Sequence, residues 1–209
     1  MSKLPSRFVD ISIVRVVPDH QEVFVYTWSP DDDTISGVDV SIIIELLSME
    51  NTVSNNTPVG LHFNDLAASN EAMESTVYSE GLIDDNEFIP SLDGHAHEVF
   101  ALTGRQRVSK YRTKPDSTVD NLYVFLVLVR LPEVTTDVLI SMNIPIDMDD
   151  AFVQELNEQY LNFGILLDDS STEPSNSSSQ LVSKLLSESI ATYRVFVKSL
   201  SIVDWGLFQ

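Results

Sequence analysis

The chain has 209 residues, of which 43% are hydrophobic, so one domain of ordinary size can bury a sizeable core. Its 32 acidic and 12 basic residues give a formal net charge of −20, which repels phosphate backbones and anionic membrane surfaces and leaves a basic protein surface or a metal ion as a complementary partner. The absence of cysteine from the sequence excludes disulfides, thiolate catalysis, zinc ribbons and iron–sulfur clusters.

Targeting and membrane signals are missing from the sequence pattern. The N-terminal segment MSKLPSRFVD lacks the apolar run of a signal peptide. The longest apolar run, VFLVLV (Val124–Val129), is far shorter than the roughly 20 residues that a membrane helix needs. We therefore expect an intracellular soluble protein, with neither nucleic acid nor membrane as a direct partner.

The first elements surround a polar turn. Residues Gln21–Trp28 are rich in β-branched and aromatic residues and predict a strand, which the turn Pro18–Glu22 introduces with two carboxylates. Residues Val38–Ser48 have apolar side chains at positions 42, 43, 46 and 47. This spacing predicts a helix, with Asp39 or Ser41 as its cap.

The next segment changes character along its length. Residues Val59–Phe63 predict a short strand, and residues 64–73 predict a helix that Asn64 caps. Residues 71–97 are acidic, interrupted by glycine and proline, and have no clear period. We interpret residues 71–97 as a surface excursion.

Three strong strands are predicted in the middle of the chain, over Glu98–Arg112, Asn121–Leu131 and Asp137–Ile146. The links between them are short, which favours antiparallel neighbours. The second strand is apolar on both faces, as a central strand covered on both sides would be. In the first strand, Gly104 is a candidate for a bulge.

The last part of the chain predicts helices and a polar loop. Residues Asp149–Phe163 predict a helix, residues 168–179 a mobile low-complexity loop, and residues 179–200 a helix with one apolar stripe. The apolar C-terminal segment is expected to pack, with Trp205 and Phe208 against the sheet. Helices on both faces of an antiparallel sheet make an α/β/α sandwich, in one domain over residues 1–209.

Catalytic motifs are weak or missing. The sequence has no nucleophile elbow, phosphate-binding loop, dinucleotide fingerprint or zincin helix, and its acidic runs lack the glycine and glutamate of a calcium loop. His95 and His97 could share a metal, but no third ligand is specified, and an ordinary solvated loop is favoured. His62 is expected to be a structural strand residue. We therefore expect a binding protein without cofactor or metal, rather than an enzyme.

The segment LPSRFVDISIVRVVPDHQEVFV (residues 4–25) resembles the signature region of the Ran guanine-nucleotide release factors, the Mog-type nuclear import factors. That signature typically reads LP-x-x-[FA]-[IV]-D-x-S-x-[IL]-R-x-VPD-x-QEV-[YF]-V, and Val14 is a conservative variant within it. Five further blocks agree in order, so the resemblance extends over nearly the whole chain. They are SIIIELL (41–47), HFNDLA (62–67), LTGRQRVSK (102–110), LVRLPEVTTDVLISMNIP (128–145) and LSIVDWGLF (200–208).

The resemblance implies an α/β/α sandwich of the kind shared with the PsbP-like proteins. Members of the family usually carry a strand before the Leu-Pro pair, and this sequence begins without it. The sheet is therefore expected to be one strand shorter, or the chain to be a truncated or mispredicted product. The segments 71–97 and 168–179 are longer than usual, which fits surface insertions.

The function that the resemblance implies is binding of the small GTPase Ran and release of its guanine nucleotide, in support of nuclear protein import. It also implies a place in the nucleus and cytoplasm, and we expect a monomer because no dimer seam is evident. The partner-binding residues carried over are Asp19 and Glu22, with Gln21 and His20 beside them. The structural alternative is that Asp19 caps the turn and Glu22 is a solvated strand residue.

Other residues are expected to be structural. Asp10 is expected to cap the segment after it, and Arg130 and Asp137 to pair across a turn. Two rival functions remain open. One is an acidic adaptor that binds a different basic protein without exchange activity. The other is a hydrolase or lyase, which would need a concave pocket with a perturbed acid–base pair.

Overall fold

In the part of the chain that the structure describes, a seven-stranded sheet carries one helix on each face. A computed structural model describes residues 4–29, 37–49, 57–83, 88–92, 94–95, 97–109, 119–146 and 177–208. The strands are β1 (Val9–Asp10), β2 (Gln21–Trp28), β3 (Val38–Ser48), β4 (Glu74–Leu82), β5 (Glu98–Ser109), β6 (Val119–Leu131) and β7 (Thr136–Ile146). The helices are α1 (Pro58–Ser69) and α2 (Ser177–Lys198).

The sheet is antiparallel throughout, in the order β1-β2-β3-β7-β6-β5-β4. The chain therefore leaves β3 in one half of the sheet, passes through α1, and returns along β4 at the opposite edge. Strands β7 and β6 lie in the middle, and β1 and β4 form the two edges. This confirms the antiparallel pairing predicted for the three middle strands.

Two separate apolar clusters cover the two faces of the sheet, which confirms the sandwich. Along β6, alternate side chains such as Val124 and Leu126 join Val59 and Phe63 of α1. The residues between them, such as Phe125, join the larger cluster that α2 completes. Because successive strand residues point to opposite faces, a continuous apolar run is what a strand buried on both sides requires.

The helix predicted over Val38–Ser48 is wrong, since these residues form β3. Its centre carries three consecutive isoleucines, and β-branched side chains favour strands. Ile42 is fully buried between the neighbouring strands β2 and β7. Apolar residues on both faces of one strand reproduced the 3–4 spacing of a helix, so periodicity alone could not separate the two.

The short strand predicted over Val59–Phe63 is also wrong, because α1 begins at Pro58. The helix starts six residues before the predicted cap Asn64. Thr57 is the actual N-cap, and its hydroxyl accepts a hydrogen bond from the Gly60 amide at 3.1 Å. A threonine before a proline is a strong helix start, because proline suits the first turn and threonine satisfies a free amide.

The prediction of a surface excursion over residues 71–97 is wrong in part, because this segment contains a strand and several buried side chains. Residues Glu74–Leu82 form the edge strand β4, and four apolar side chains after it are buried. A bulge explains why no period was visible: the register shifts between Val77 and Ser79, so the alternation breaks there. Gly104 lies opposite this bulge, and a Cβ on it would come 2.7 Å from the Phe63 ring. The buried side chains are those of Ile83, Phe88, Ile89 and Leu92.

Most of the remaining predictions are confirmed, and the others concern residues that the structure does not describe. The strand over Gln21–Trp28, the three middle strands and the last helix are confirmed, with small changes at their ends. Asp10 caps the 3-10 turn Ile11–Ile13 by accepting a hydrogen bond from the Ser12 amide at 2.8 Å. The helix predicted over Asp149–Phe163 lies outside the described residues, as does the side chain of Phe208. The loop predicted over residues 168–179 lies outside them up to residue 176, and its last three residues belong to α2 instead.

The C-terminal segment packs as expected at Trp205. This half-buried side chain contacts the cluster on the α2 face. Its ring stacks on the ring of His95, with 4.0 Å between the centroids. His95 also lies 3.5 Å from the Glu133 carboxylate, between Nδ1 and Oε2, and His97 approaches the His95 carbonyl at 2.7 Å. The two histidines thus have structural contacts.

An ion pair closes the connection between β6 and β7, as predicted for Arg130 and Asp137. The two residues are direct partners in the register. Arg130 donates from Nε to Oδ1 at 2.9 Å and from Nη2 to Oδ2 at 2.8 Å, and the Asp137 side chain is fully buried. Removal of one partner would leave a buried charge without compensation.

Replacing Asp137 with alanine should lower the free energy of unfolding by about 3–5 kcal/mol, because Arg130 would remain charged and buried. The double variant Arg130→Met/Asp137→Leu should recover most of that loss, since an apolar pair needs no partner. Urea denaturation of the three proteins measures both effects. A single variant as stable as the wild type would show that the pair does not stabilise the fold.

Candidate partner-binding site

The acidic turn, Pro18–Glu22, leads into β2 and is held by backbone hydrogen bonds. The Gln21 amide donates to the Pro18 carbonyl at 2.9 Å, which closes the turn. The Leu46 amide donates to the His20 carbonyl at 2.9 Å, which ties the turn to β3. The position of the turn therefore depends on the pairing of β2 with β3.

The four predicted site residues differ in orientation. Asp19, His20 and Glu22 are exposed, whereas Gln21 is half-buried. Gln21 pairs with Glu45 across the strands, and its side-chain amide donates to the Glu45 carboxylate at 2.5 Å. Successive strand residues point to opposite faces, so Gln21 lies on the α1 face and Glu22 on the α2 face. The structure thus groups Asp19, His20 and Glu22 on the surface and separates Gln21 from them.

Both predicted carboxylates are available for a partner. Within the part of the chain that the structure describes, no lysine or arginine forms an ion pair with Asp19 or Glu22. Neither side chain is turned into the core. These are the two conditions that a surface acting through its negative charge must meet.

Exposed apolar side chains precede the acidic turn, a feature that the sequence interpretation missed. Ile13, Val14 and Val16 are 77%, 72% and 98% exposed, and we call these three residues the apolar ridge. Single exposed apolar residues are ordinary, but three within four positions mark a candidate interaction surface. The signal in the sequence was the segment ISIVRVV (Ile11–Val17), which lies just before the turn. This segment is mostly apolar and has neither strand nor helix periodicity.

The segment that carries the ridge is fixed to the domain from its N-terminal side. Strand β1 pairs Val9 with Val25 and Asp10 with Phe24 of β2. The Phe8 ring packs edge-on against the Tyr26 ring at 4.5 Å. The Arg7 guanidinium lies 4.4 Å from the centroid of the same ring, so the ridge is exposed on a supported backbone.

A groove of about 270 Å³ lies on the other side of Gln21, between α1 and the end of β3. His62 of α1 lines it, with Nε2 at 3.5 Å from Oδ2 of Asp137. Burial alone would raise the pKa of the Asp137 carboxyl. The hydrogen bonds from His62 and Arg130 more than offset burial, and they hold that pKa below its ordinary value.

The described residues show neither a metal centre nor a membrane span. Among them, no three histidine or carboxylate side chains are arranged to hold a metal ion. No helix in the same part of the chain is both long and apolar enough to cross a bilayer. The features that remain for recognition are the acidic turn, the apolar ridge and the groove.

An antiparallel α/β/α sandwich with an acidic turn and an apolar ridge at one edge is a candidate protein-binding domain. Residues 1–145 match the family model described as "Ran-interacting Mog1 protein". The chain belongs to this family, because the match covers well over half of its length. The matched stretch contains the acidic turn, the ridge and the groove, and it ends within β7.

Curated relatives agree with the family. The chain is 36% identical over 145 residues to the Ran guanine nucleotide release factor of Danio rerio, covering 68% of this chain and 71% of the relative. It is 29% identical over 142 residues to the protein of that name in Homo sapiens, covering 68% and 69%. It is 26% identical over 142 residues to the nuclear import protein mog1 of Schizosaccharomyces pombe, covering 68% and 70%.

A solved structure supports the fold across the whole chain. The crystal structure of the Saccharomyces cerevisiae Ran-binding protein Mog1p has a TM-score of 0.63 to this structure, with 21% identity. The similarity covers 100% of this chain and 92% of that chain. At this level of identity, the likeness establishes the shared architecture.

Stability should fall in acid partly through Asp137. The pKa of Asp137 is lower in the folded protein than in the unfolded chain, so unfolding takes up a proton between the two values. Its contribution is complete above the unfolded value of about pH 4 and is lost as the pH falls through the folded value. The free energy of unfolding, measured with urea below about pH 4, should fall more steeply for the wild type than for Arg130→Met/Asp137→Leu. Parallel curves would contradict this role.

Proposed function

We propose that this chain binds the small GTPase Ran, promotes release of its guanine nucleotide, and thereby supports nuclear protein import. The family match and the printed names of the curated relatives support the proposal. As part of the same proposal, the chain acts as a monomer in the nucleus and cytoplasm, and it works by binding rather than by covalent catalysis.

One observation links the proposed function to particular residues. Asp19 and Glu22 are exposed, have no ion-pair partner among the described residues, and lie within the stretch that matches the family. A net charge of −20 directs such a surface toward a cationic region of the partner. Charge-assisted hydrogen bonds from lysine or arginine of Ran to these carboxylates would add orientation to that attraction.

Nucleotide release follows from a difference in affinity. A release factor must bind the nucleotide-free or loosened GTPase more tightly than the loaded form, because only this difference shifts the equilibrium. The coupling is reciprocal, so a nucleotide that rebinds must weaken the complex by the same factor. The acidic turn can contribute by competing for basic side chains of Ran that otherwise hold phosphate.

The apolar ridge gives the acidic turn a neighbouring surface that excludes water. Specific interfaces combine an apolar centre with a polar rim, and charge pairs are strongest where water is removed. Ile13, Val14 and Val16 lie just before the turn and have most of their surface exposed. We assign the ridge to the centre of the Ran interface, and Asp19 and Glu22 to its charged border.

Reversing the charge of the turn should weaken Ran binding. In Asp19→Lys/Glu22→Lys, each lost attraction becomes a repulsion, and we expect the dissociation constant to rise about tenfold or more. Titration calorimetry with nucleotide-free Ran measures the affinity, and loss of a fluorescent nucleotide from loaded Ran measures release. Both should be impaired together.

The matched control for this variant is Asp39→Lys/Asp204→Lys, which changes the net charge equally at two exposed positions away from the turn, at the opposite end of β3 and after α2. The control should bind Ran nearly as well as the wild type. Equal weakening in both variants at every salt concentration would favour an adaptor that responds to charge alone. Unchanged affinity in the turn variant would remove Asp19 and Glu22 from the interface.

Making the ridge polar should also weaken Ran binding, without affecting the fold. In Val14→Ser/Val16→Ser, the loss of apolar contact should raise the dissociation constant about fivefold or more, with little dependence on salt. Both side chains are exposed, so the midpoint of urea unfolding should hardly change. The control Met73→Ser/Val77→Ser alters exposed apolar residues at the β4 edge. A ridge variant that binds as tightly as this control would show that the ridge lies outside the interface.

A further inference from the structure

The groove between α1 and β3 has the shape and lining of a site for one side chain. Its volume of about 270 Å³ is below the roughly 300–1,000 Å³ of pockets for drug-sized ligands. Leu47, Leu66 and Leu139 give it an apolar part, in which Leu139 is almost fully buried. Glu45 and Asp65 also line it, and both retain exposed surface.

The charge of the groove is negative and not compensated within the part of the chain described. The carboxylate of Glu45 accepts a hydrogen bond from the neutral amide of Gln21, which leaves its charge in place. No described lysine or arginine forms an ion pair with Glu45 or Asp65. The Asp137 charge behind the groove is already balanced by Arg130, so the groove keeps the charge of its two lining carboxylates.

The chemistry of this lining fits a long cationic side chain. Lysine and arginine place their aliphatic stems along apolar surface and keep their charged ends near water or carboxylates. The leucines suit the stem, and Glu45 and Asp65 suit the charged end. A divalent metal is a poorer match, because the described residues offer no set of three ligands in range of one another.

One hydrogen bond connects the lining of the groove to the proposed Ran surface. Gln21 follows His20 of the acidic turn directly, and its amide holds the Glu45 carboxylate at 2.5 Å. His62 is fixed on the same lining by its contact with buried Asp137, at 3.5 Å. A partner that covers the acidic turn is therefore well placed to extend a side chain into the groove.

We propose that the groove between α1 and β3 binds a lysine or arginine side chain of Ran, as a second contact beside the acidic turn. This inference rests on the proposed function, because it takes Ran as the partner. It assigns to Gln21 the positioning of the Glu45 carboxylate. It adds Glu45 and Asp65, which the sequence interpretation did not select, to the binding surface.

The first test removes the charge and keeps the shape. Glu45→Gln/Asp65→Asn preserves side-chain size, and the new amide oxygen at residue 45 can still accept from Gln21. We expect the dissociation constant for nucleotide-free Ran to rise about fivefold or more, with a weaker dependence on salt. The matched control Asp39→Asn/Asp204→Asn removes the same charge at two exposed positions that do not line the groove, and should bind like the wild type. In each variant residue the new amide oxygen can still accept the hydrogen bond from Thr27 or from the Gly206 amide.

The second test fills the groove and keeps the charge. Ser69 lines the groove at the end of α1, and Ser69→Leu places a larger apolar side chain there with good helix propensity. Affinity for Ran should fall about fivefold or more at low and at high salt, because the obstruction is steric. Urea unfolding of each variant checks that the fold is retained.

The outcomes separate this inference from the function it rests on. If the wild-type chain does not bind Ran, the proposed function fails, and this inference fails with it. If the wild type binds Ran and Glu45→Gln/Asp65→Asn matches its control within twofold, the groove is not a contact, although the function stands. If the charge variant weakens binding but Ser69→Leu does not, the carboxylates act from a distance and the groove is not occupied.

Discussion

The buried pairing of β6 with β7 is the constraint from which the position of the proposed binding surface follows. Both strands are apolar on two faces, and the Arg130–Asp137 ion pair fixes the end at which they connect. A slip of one residue would move every side chain to the other face and separate the ion pair. The register of β7 sets that of β3, which sets that of β2, and the acidic turn leads directly into β2. The strands at the centre of the sheet thus determine the position of the proposed binding surface near the edge of the sheet.

Several of the described cations contact groups outside the proposed site. Arg105 and Arg107 lie 3.4 and 3.1 Å from the Glu74 carboxylate, and Arg130 forms an ion pair with Asp137. Arg7 and Lys198 lie over the aromatic rings of Tyr26 and Phe88. Arg15, which is exposed between Val14 and Val16, is a further cation beside the turn. No described lysine or arginine forms an ion pair with the carboxylates of the turn and the groove, so these keep their negative charge. In the proposed function, this negative charge would attract a basic partner and speed the association of the two proteins.

The sequence predicted those elements in which one physical signal dominates. Strand β6 is apolar without interruption, and α2 has a single apolar stripe, so each pattern has one interpretation. Strand β3 was taken for a helix because partial burial on both faces imitates helical spacing. Strand β4 was missed because its bulge at Tyr78 interrupts the alternation. In both strands the deciding information is tertiary, since it depends on which neighbours cover each face.

The candidate site shows the same division between local and long-range information. Asp19 and Glu22 were selectable because a family signature places them in one contiguous stretch. The apolar ridge needed a measure of exposure, since an apolar run in a sequence is ordinarily buried. Glu45 and Asp65 belong to β3 and α1, twenty residues apart in the chain, and only folding places both in one groove. An acidic turn alone would favour any basic protein, whereas charge beside an apolar ridge and a groove of defined size also demands a matching shape. Specificity for one partner requires that combination, because many basic proteins would satisfy the charge and few of them would also fit the shape.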